Sequence, residues 1–302
     1  MPQTTGSHPK AEWEGIMLWW GENYPKRKTQ WTDLVDRKVS RKNREEIVQS
    51  TSFGPAVKKN QLGSIKFDEN RQGFTTTAIH TTYGLGYIVS EEEQEDNLYT
   101  QVSLARVPSL MFSMGYTKEM NVANLYNNGG NSAYTFGDTK EWFSNAHPNS
   151  VGGGTFSNII TAAALSESAV EDMITQIMGA TNDRGLVIGL SPTKLIVPRQ
   201  LNWEAGRILK SSLQNDTANN AINVLNATGA LPGGSSTNVY LNDANNWFIR
   251  TNAPAGPCLI QRRELRFEKD NDFNTGNLLA KATERYVVTV PDPRSCYASL
   301  PA

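Results

Sequence analysis

Phe74-Thr-Thr-Thr-Ala-Ile-His-Thr-Thr-Tyr-Gly-Leu-Gly-Tyr-Ile-Val89 runs directly into Ser90-Glu-Glu-Glu-Gln-Glu-Asp-Asn-Leu-Tyr99. The first half alternates. Ile79, Tyr83, Leu85, Tyr87 and Val89 fall on one face, and Thr76, His80, Thr82, Gly84 and Gly86 on the other. A period of two over this length predicts a long strand with one buried side. Gly84 and Gly86 mark a bend or the close approach of another backbone. At Ser90 the period changes. Ser90 with Glu93 forms a capping-box pattern, and Glu91, Glu92, Glu93, Glu95 and Asp96 load the first turns with negative charge. Both features belong to a helix N-terminus. Leu104, Val107, Met111, Met114, Val122 and Leu125 then recur at helical spacing, with a gap at Lys118. The predicted helix runs to about Asn128, is roughly 45 Å long at 1.5 Å per residue, and is expected to kink at Pro108.

Upstream, residues 49–90 read as a long β-hairpin excursion. Ser64–Phe67 is its short strand, and Asp68–Gly73 is turn-rich. A hairpin with one apolar face does not stand alone in water, so it must lie on something, such as another chain. Ile65, Phe67 and Phe74 are its candidate contact residues. Residues 1–48 read as an arm. Trp13, Trp19, Trp20 and Trp31 sit in a polar, basic stretch that includes Lys26, Arg27 and Lys28. Large aromatics in such a setting anchor interfaces. The arm's positive charge complements the acidic helix start at Glu91, Glu92 and Glu93, which is expected to be its target on a neighbouring copy.

Downstream, residues 129–160 are a Gly-, Asn- and Ser-rich loop. Ser166 caps a second helix whose apolar stripe is Val170, Met173, Ile174, Ile177 and Met178, ended by Gly179. A short strand at Leu195–Val197 closes at Pro198. Leu201, Ala205, Ile208 and Leu209 mark a third helix, and 214–236 is rich in loop. Strands are expected at Val239–Leu241, Trp247–Thr251, Cys258–Gln261 and Leu278–Val290, the last paired with Leu265–Phe267.

The chemistry-bearing patterns are nearly all missing. The chain has three histidines and two cysteines, Cys258 and Cys296, which are expected to be reduced thiols. Neither His-Glu-x-x-His nor Cys-x-x-Cys occurs, so no zinc site is expected. The glycine runs Gly152–Gly154 and Gly233–Gly234 lack the Gly-Lys-Ser/Thr ending of a phosphate loop. Asp270 and Asp272 lack the glycine and closing Glu of a calcium loop. His147 is expected to be a loop hydrogen-bonder. The expectation is therefore no enzyme, no cofactor and no metal. Net charge is −1 over 302 residues, which excludes a generic polyanion binder. No apolar run approaches the ~20 residues that span a bilayer, and Met1–Lys10 does not read as a secretory signal.

One family resemblance covers roughly residues 80–297. The stretches that carry it, in order, begin with Tyr83-Gly-Leu-Gly-Tyr-Ile-Val, Glu-Asp-Asn-Leu-Tyr99, Lys118-Glu with Val-Ala-Asn, Asn127-Asn through Ser132-Ala-Tyr-Thr, and Ala146-His-Pro148. They continue through Gly154-Thr-Phe-Ser-Asn158, Leu165-Ser-Glu-Ser-Ala-Val-Glu, Asn182-Asp-Arg-Gly185 and Lys194-Leu-Ile-Val-Pro198. The last are Arg207-Ile-Leu-Lys-Ser211, Thr217-Ala-Asn-Asn220 and Ala282-Thr-Glu-Arg-Tyr286. In this order the sequence resembles the major capsid proteins of tailed phages with the Hong-Kong-97-like fold, and more narrowly the Mu-like prophage major head proteins. It departs from them in the first fifty residues and at Val287–Tyr297.

The resemblance implies an α+β fold. Its parts would be an arm (1–48), an extended loop (49–90), a peripheral domain with a long spine helix (91–144 and 261–290) and an axial domain (145–260 and 291–302). It implies hexamers and pentamers of a head shell built in the host cytoplasm around double-stranded DNA, which is contacted without sequence preference. Scaffold, portal and decoration proteins are further expected partners. Lys58 and Lys59 stand where some shells carry a crosslinking lysine, but no acid catalyst accompanies them and no crosslink is expected. The alternatives weighed are an encapsulin-like compartment shell or another virion structural protein, and, in a different class, a hydrolase or binding enzyme.

Overall fold

The computed structural model describes residues 29–96, 99–151, 153–214 and 221–301, with side chains at all of these except 94–95 and 99–105. In chain order the elements are α1 (Trp31–Leu34), β1 (Asp36–Val39), β2 (Arg44–Ser50), β3 (Gln72–Ile79), β4 (Thr81–Val89), α2 (Glu91–Glu95) and α3 (Tyr99–Asn127). Then come β5 (His147–Pro148), β6 (Thr155–Phe156), α4 (Glu167–Met178), β7 (Pro192–Pro198), α5 (Asn202–Lys210), α6 (Val224–Thr228) and β8 (Ser235–Asn238). The chain ends with β9 (Trp247–Thr251), β10 (Cys258–Asn271), β11 (Leu278–Thr289) and β12 (Cys296–Ser299).

Two four-stranded sheets organise the molecule, in the orders β1-β10-β11-β4 and β12-β9-β7-β8. In the first, β1 runs parallel to β10, and the other neighbours are antiparallel. The expected pairing of Leu265–Phe267 is observed, with Phe267 opposite Ala282. Helix α3 covers one face of this sheet. Val107, Leu110, Met111 and Met114 pack on Phe267, Ala280 and Ala282. The apolar stripe and the alternating strands thus bury each other, as their two periods require.

The gap in that stripe has a physical cause. Lys118 is buried, and its ammonium pairs with the carboxylate of Glu284 on β11. The Gln261 amide donates to the same carboxylate at 2.7 Å. Lys118 Nζ also lies 5.2 Å from the Trp31 ring centre and 5.4 Å from that of Tyr286. A buried charge is tolerated only with such company.

The second sheet carries α4 and α5. Val170, Met173 and Ile177 of the predicted stripe meet Leu195, Val197, Trp247 and Ile249. Ser166 caps α4, its hydroxyl accepting from the Ala169 N–H at 3.2 Å. Between the sheets lies an aromatic cluster of Tyr126, Trp142, Phe143 and Phe248, with ring centres 4.3–6.5 Å apart. Gly129 ends α3 against it, where an added Cβ would stand 2.4 Å from a Phe143 ring carbon. Gly129→Ala is expected to cost roughly 1–3 kcal/mol by overpacking, read as a lower urea midpoint with an unchanged slope.

Three expectations are corrected. The alternating stretch 74–89 is two strands in different sheets, broken at His80. The hairpin is therefore β2–β3, rooted at Arg44↔Ile79, while β4 belongs to the large sheet beside β11. As a result the alternation changes face. Ile79 is exposed, whereas Thr76, Ala78 and His80 are buried. Ser64–Phe67 is not a strand, since among the described residues no partner strand lies beside it to take its backbone groups. The strand expected at Val239–Leu241 is displaced to Ser235–Asn238, whose polar residues pair in parallel with β7.

Candidate assembly surfaces

The ribbon β2–β3 continues as an open loop over residues 51–71. Its base is closed by hydrogen bonds in both directions between Thr51 and Arg71, at 2.8 and 2.9 Å. Halfway along, the Gly54 N–H donates to the Asp68 carboxylate at 2.7 Å. That bond and the Glu69 N–H hold the Asp68 carboxyl below its usual range. Arg184, from a turn after α4, donates to the Glu69 carbonyl at 2.8 Å and stands 3.6 Å from Asp68. Farther out, Phe53, Val57, Leu62, Ile65 and Phe67 are all exposed, Leu62 and Phe67 almost completely. Five large apolar groups exposed on one loop ask for cover.

The residues singled out from sequence separate as follows. Ile65 and Phe67 lie on this exposed loop, and Phe74 is half-buried at the start of β3. Trp31 is a correction. It is buried within its own chain beside Leu34, Val122 and Tyr126, because α1 docks on α3. Glu91 and Glu92 are exposed at the start of α2, which Ser90 caps through the Glu93 N–H at 3.2 Å. Glu93 is paired with Arg106 of its own chain at 3.0 Å. Trp13, Trp19, Trp20, Lys26, Arg27 and Lys28 lie outside the described residues. Sequence reasoning missed Phe273, fully exposed at the turn between β10 and β11, and Trp203, exposed on α5. The signal for Phe273 was a lone aromatic inside an Asp/Asn-rich turn.

The groups that resemble catalytic machinery are structural. His147 Nδ1 lies 2.6 Å from the Asp138 carboxylate, a pairing reminiscent of a catalytic dyad. However, its ring is wholly buried, and Nε2 faces the Trp142 carbonyl and Asn158 Oδ1, each at 3.2 Å. Asn158 donates to the carbonyls of Trp142 (2.6 Å) and Pro293 (3.0 Å) and accepts from the Ser144 N–H (2.9 Å). The unit ties the 138–158 loop to the C-terminal segment. Asp270 does not gather a calcium shell with Asp272, whose carboxylate accepts from the Asn274 N–H and Thr275 hydroxyl of its own turn. Cys258 and Cys296 are free and buried, and burial raises both thiol pKa values, so the reactive thiolate is disfavoured. Among the described residues no three His, Cys, Asp or Glu side chains could hold a metal, and no helix is long and apolar enough to cross a membrane.

The chain is similar in fold to shell proteins of known structure. It superposes on the capsid of the cyanophage P-SCSP1u with a TM-score of 0.56 at 11% identity, covering 91% of this chain and 89% of that one. The capsid of a native GTA particle gives 0.55 at 12% identity, covering 91% of each chain. The virus-like particle from Pyrococcus furiosus gives 0.52 at 10% identity, covering 96% of this chain and 99% of that one. No curated protein sequence matches the chain. The family model described as phage capsid protein matches residues 73–299, from the return strand of the ribbon to the last strand of the second sheet. With the second sheet, three of the four strands of the first, the long helix and the buried loop network inside that match, the chain belongs to the phage capsid protein family.

Proposed function

We propose that this major capsid protein is the head subunit of a tailed phage of the Mu-like prophage subgroup, assembling as hexamers and pentamers around double-stranded DNA. The shell encloses the DNA through contacts without sequence preference, and assembly takes place in the host cytoplasm, with scaffold, portal and decoration proteins as further partners. The subunit divides into an arm (1–48), an extended loop (49–90), a peripheral domain built on α3 (91–144 and 261–290) and an axial domain (145–260 and 291–302). The compartment-shell alternative is set aside, because the family match falls on phage capsids.

The observation that carries the assembly reading is the loop 51–71, with its five exposed apolar side chains. A donor surface of this kind differs from whatever receives it, so the contact is heterologous, the type that generates a ring when its rotation closes. Replacing residues 52–70 by a short Gly-Ser linker is expected to leave a folded subunit, since no core residue is removed. Shells and rings should fall to background in sedimentation and negative-stain images. Unchanged shell yield would overturn the role given to the loop.

A further inference from the structure

His80 is the single residue between β3 of the ribbon and β4 of the large sheet. The ribbon is a sheet of its own, and among the described residues no strand pairing joins it to the large sheet. The imidazole at this junction is fully buried, and among the described residues neither ring nitrogen has a hydrogen-bond partner. A buried polar group in that condition is costly, typically by more than its ordinary bonds would return.

The charges around it are divided by element. On the ribbon side, the Glu45 carboxylate of β2 lies 3.8 Å from His80 Nε2. Glu45 also accepts from the Ser40 hydroxyl and lies 3.9 Å from Lys42 Nζ. On the sheet side stand Arg262 of β10 and Arg285 of β11, and Arg285 donates to the His80 carbonyl at 3.3–3.4 Å. We propose that His80 is an acid-sensitive pivot: once protonated, its ring follows Glu45 of the ribbon and is repelled by Arg262 and Arg285, so the ribbon swings free of the sheet. Arg285's own bond to the His80 carbonyl opposes this, as does the burial of Thr76 and Ala78 on β3. The Gln49 amide donates to the Pro291 carbonyl at 2.9 Å, and Arg184 holds Asp68 and Glu69.

The sign agrees with the local electrostatics. Burial holds the imidazole below its ordinary value of 6.5, Glu45 raises it, and the two arginines lower it. The neutral ring is the resident form. The closed junction keeps its full stability above 6.5 and loses it as pH falls below that value. The consequence is regulatory: acid alters how the ribbon presents the loop 51–71. That consequence for assembly rests on the capsid reading, whereas the pivot itself does not.

The test is amide hydrogen exchange on the unassembled full chain at about pH 7.5 and about pH 5.5, corrected for intrinsic rates. Protection over residues 44–50 and 72–81 is expected to fall on the order of tenfold at the lower pH, while the sheet β10–β11 keeps its protection. His80→Phe, which cannot be protonated, should show no such drop. If that variant fails to fold, Glu45→Gln provides the test, because removing the acid should move the response to lower pH. An unchanged wild type overturns the pivot, as does an acid response retained in His80→Phe or unmoved in Glu45→Gln. Because the reading is taken before assembly, its failure is separable from failure of the capsid assignment, which shows only in shell formation.

Discussion

Lys118→Met is expected to lower the unfolding free energy by roughly 3–5 kcal/mol, because it strands a buried carboxylate. Glu284 is almost fully buried on β11, and its protein partners are the Lys118 ammonium and the Gln261 amide. Methionine fills a similar volume, so the loss measures the unpaired charge rather than a cavity. Removing both charges should behave differently. Lys118→Met combined with Glu284→Leu is expected to recover most of the loss, since no buried charge remains uncompensated. Urea unfolding of the unassembled subunit measures both. A single variant within about 1 kcal/mol of wild type would mean that the pair is not what fills the gap in the α3 stripe.

The second large effect is expected at Asn158. Its amide donates to two carbonyls from segments far apart in sequence, Trp142 and Pro293, and its oxygen accepts from the Ser144 N–H. Asn158→Ala leaves the Pro293 carbonyl and the Ser144 N–H without this partner and the Trp142 carbonyl with His147 alone, at a cost of about 3 kcal/mol. Asn158→Asp should be worse, since a carboxylate would face carbonyl oxygens where an N–H₂ donated before. The order Asn > Ala > Asp in urea midpoint is the expected result. An aspartate variant as stable as wild type would contradict the assigned amide orientation.

Legibility in the sequence followed periodicity. The α3 stripe, the Ser90 and Ser166 caps, and strands such as Trp247–Thr251 were readable because side chains on one face share one environment. The errors arose where that link fails. The stretch 74–89 keeps its alternation through His80, yet the chain changes sheet there, and nothing local announces a change of partner. Strand β8 is Ser-Ser-Thr-Asn, polar at every position, and exists because β7 supplies a parallel edge. Trp31 looked like an interface anchor because its neighbours are charged. It is buried because α1 meets Lys118 and Tyr126, which are far along the chain. The loop was legible as an excursion in need of a partner, but its exposed apolar groups also include Phe53 and Leu62, which lie outside any pattern. Asn158 was readable only as a loop residue, since two of its partners, the Pro293 and Cys296 carbonyls, come from a segment distant in sequence.

The central claim is that this chain builds a closed shell from its own copies. Electron microscopy of the purified chain, expressed alone and together with its neighbouring head genes, tests it most directly. The account predicts closed shells or capsomer rings, with the loop 51–71 of one copy resolved on the surface of the next. A folded subunit that remains monomeric under both conditions would contradict it.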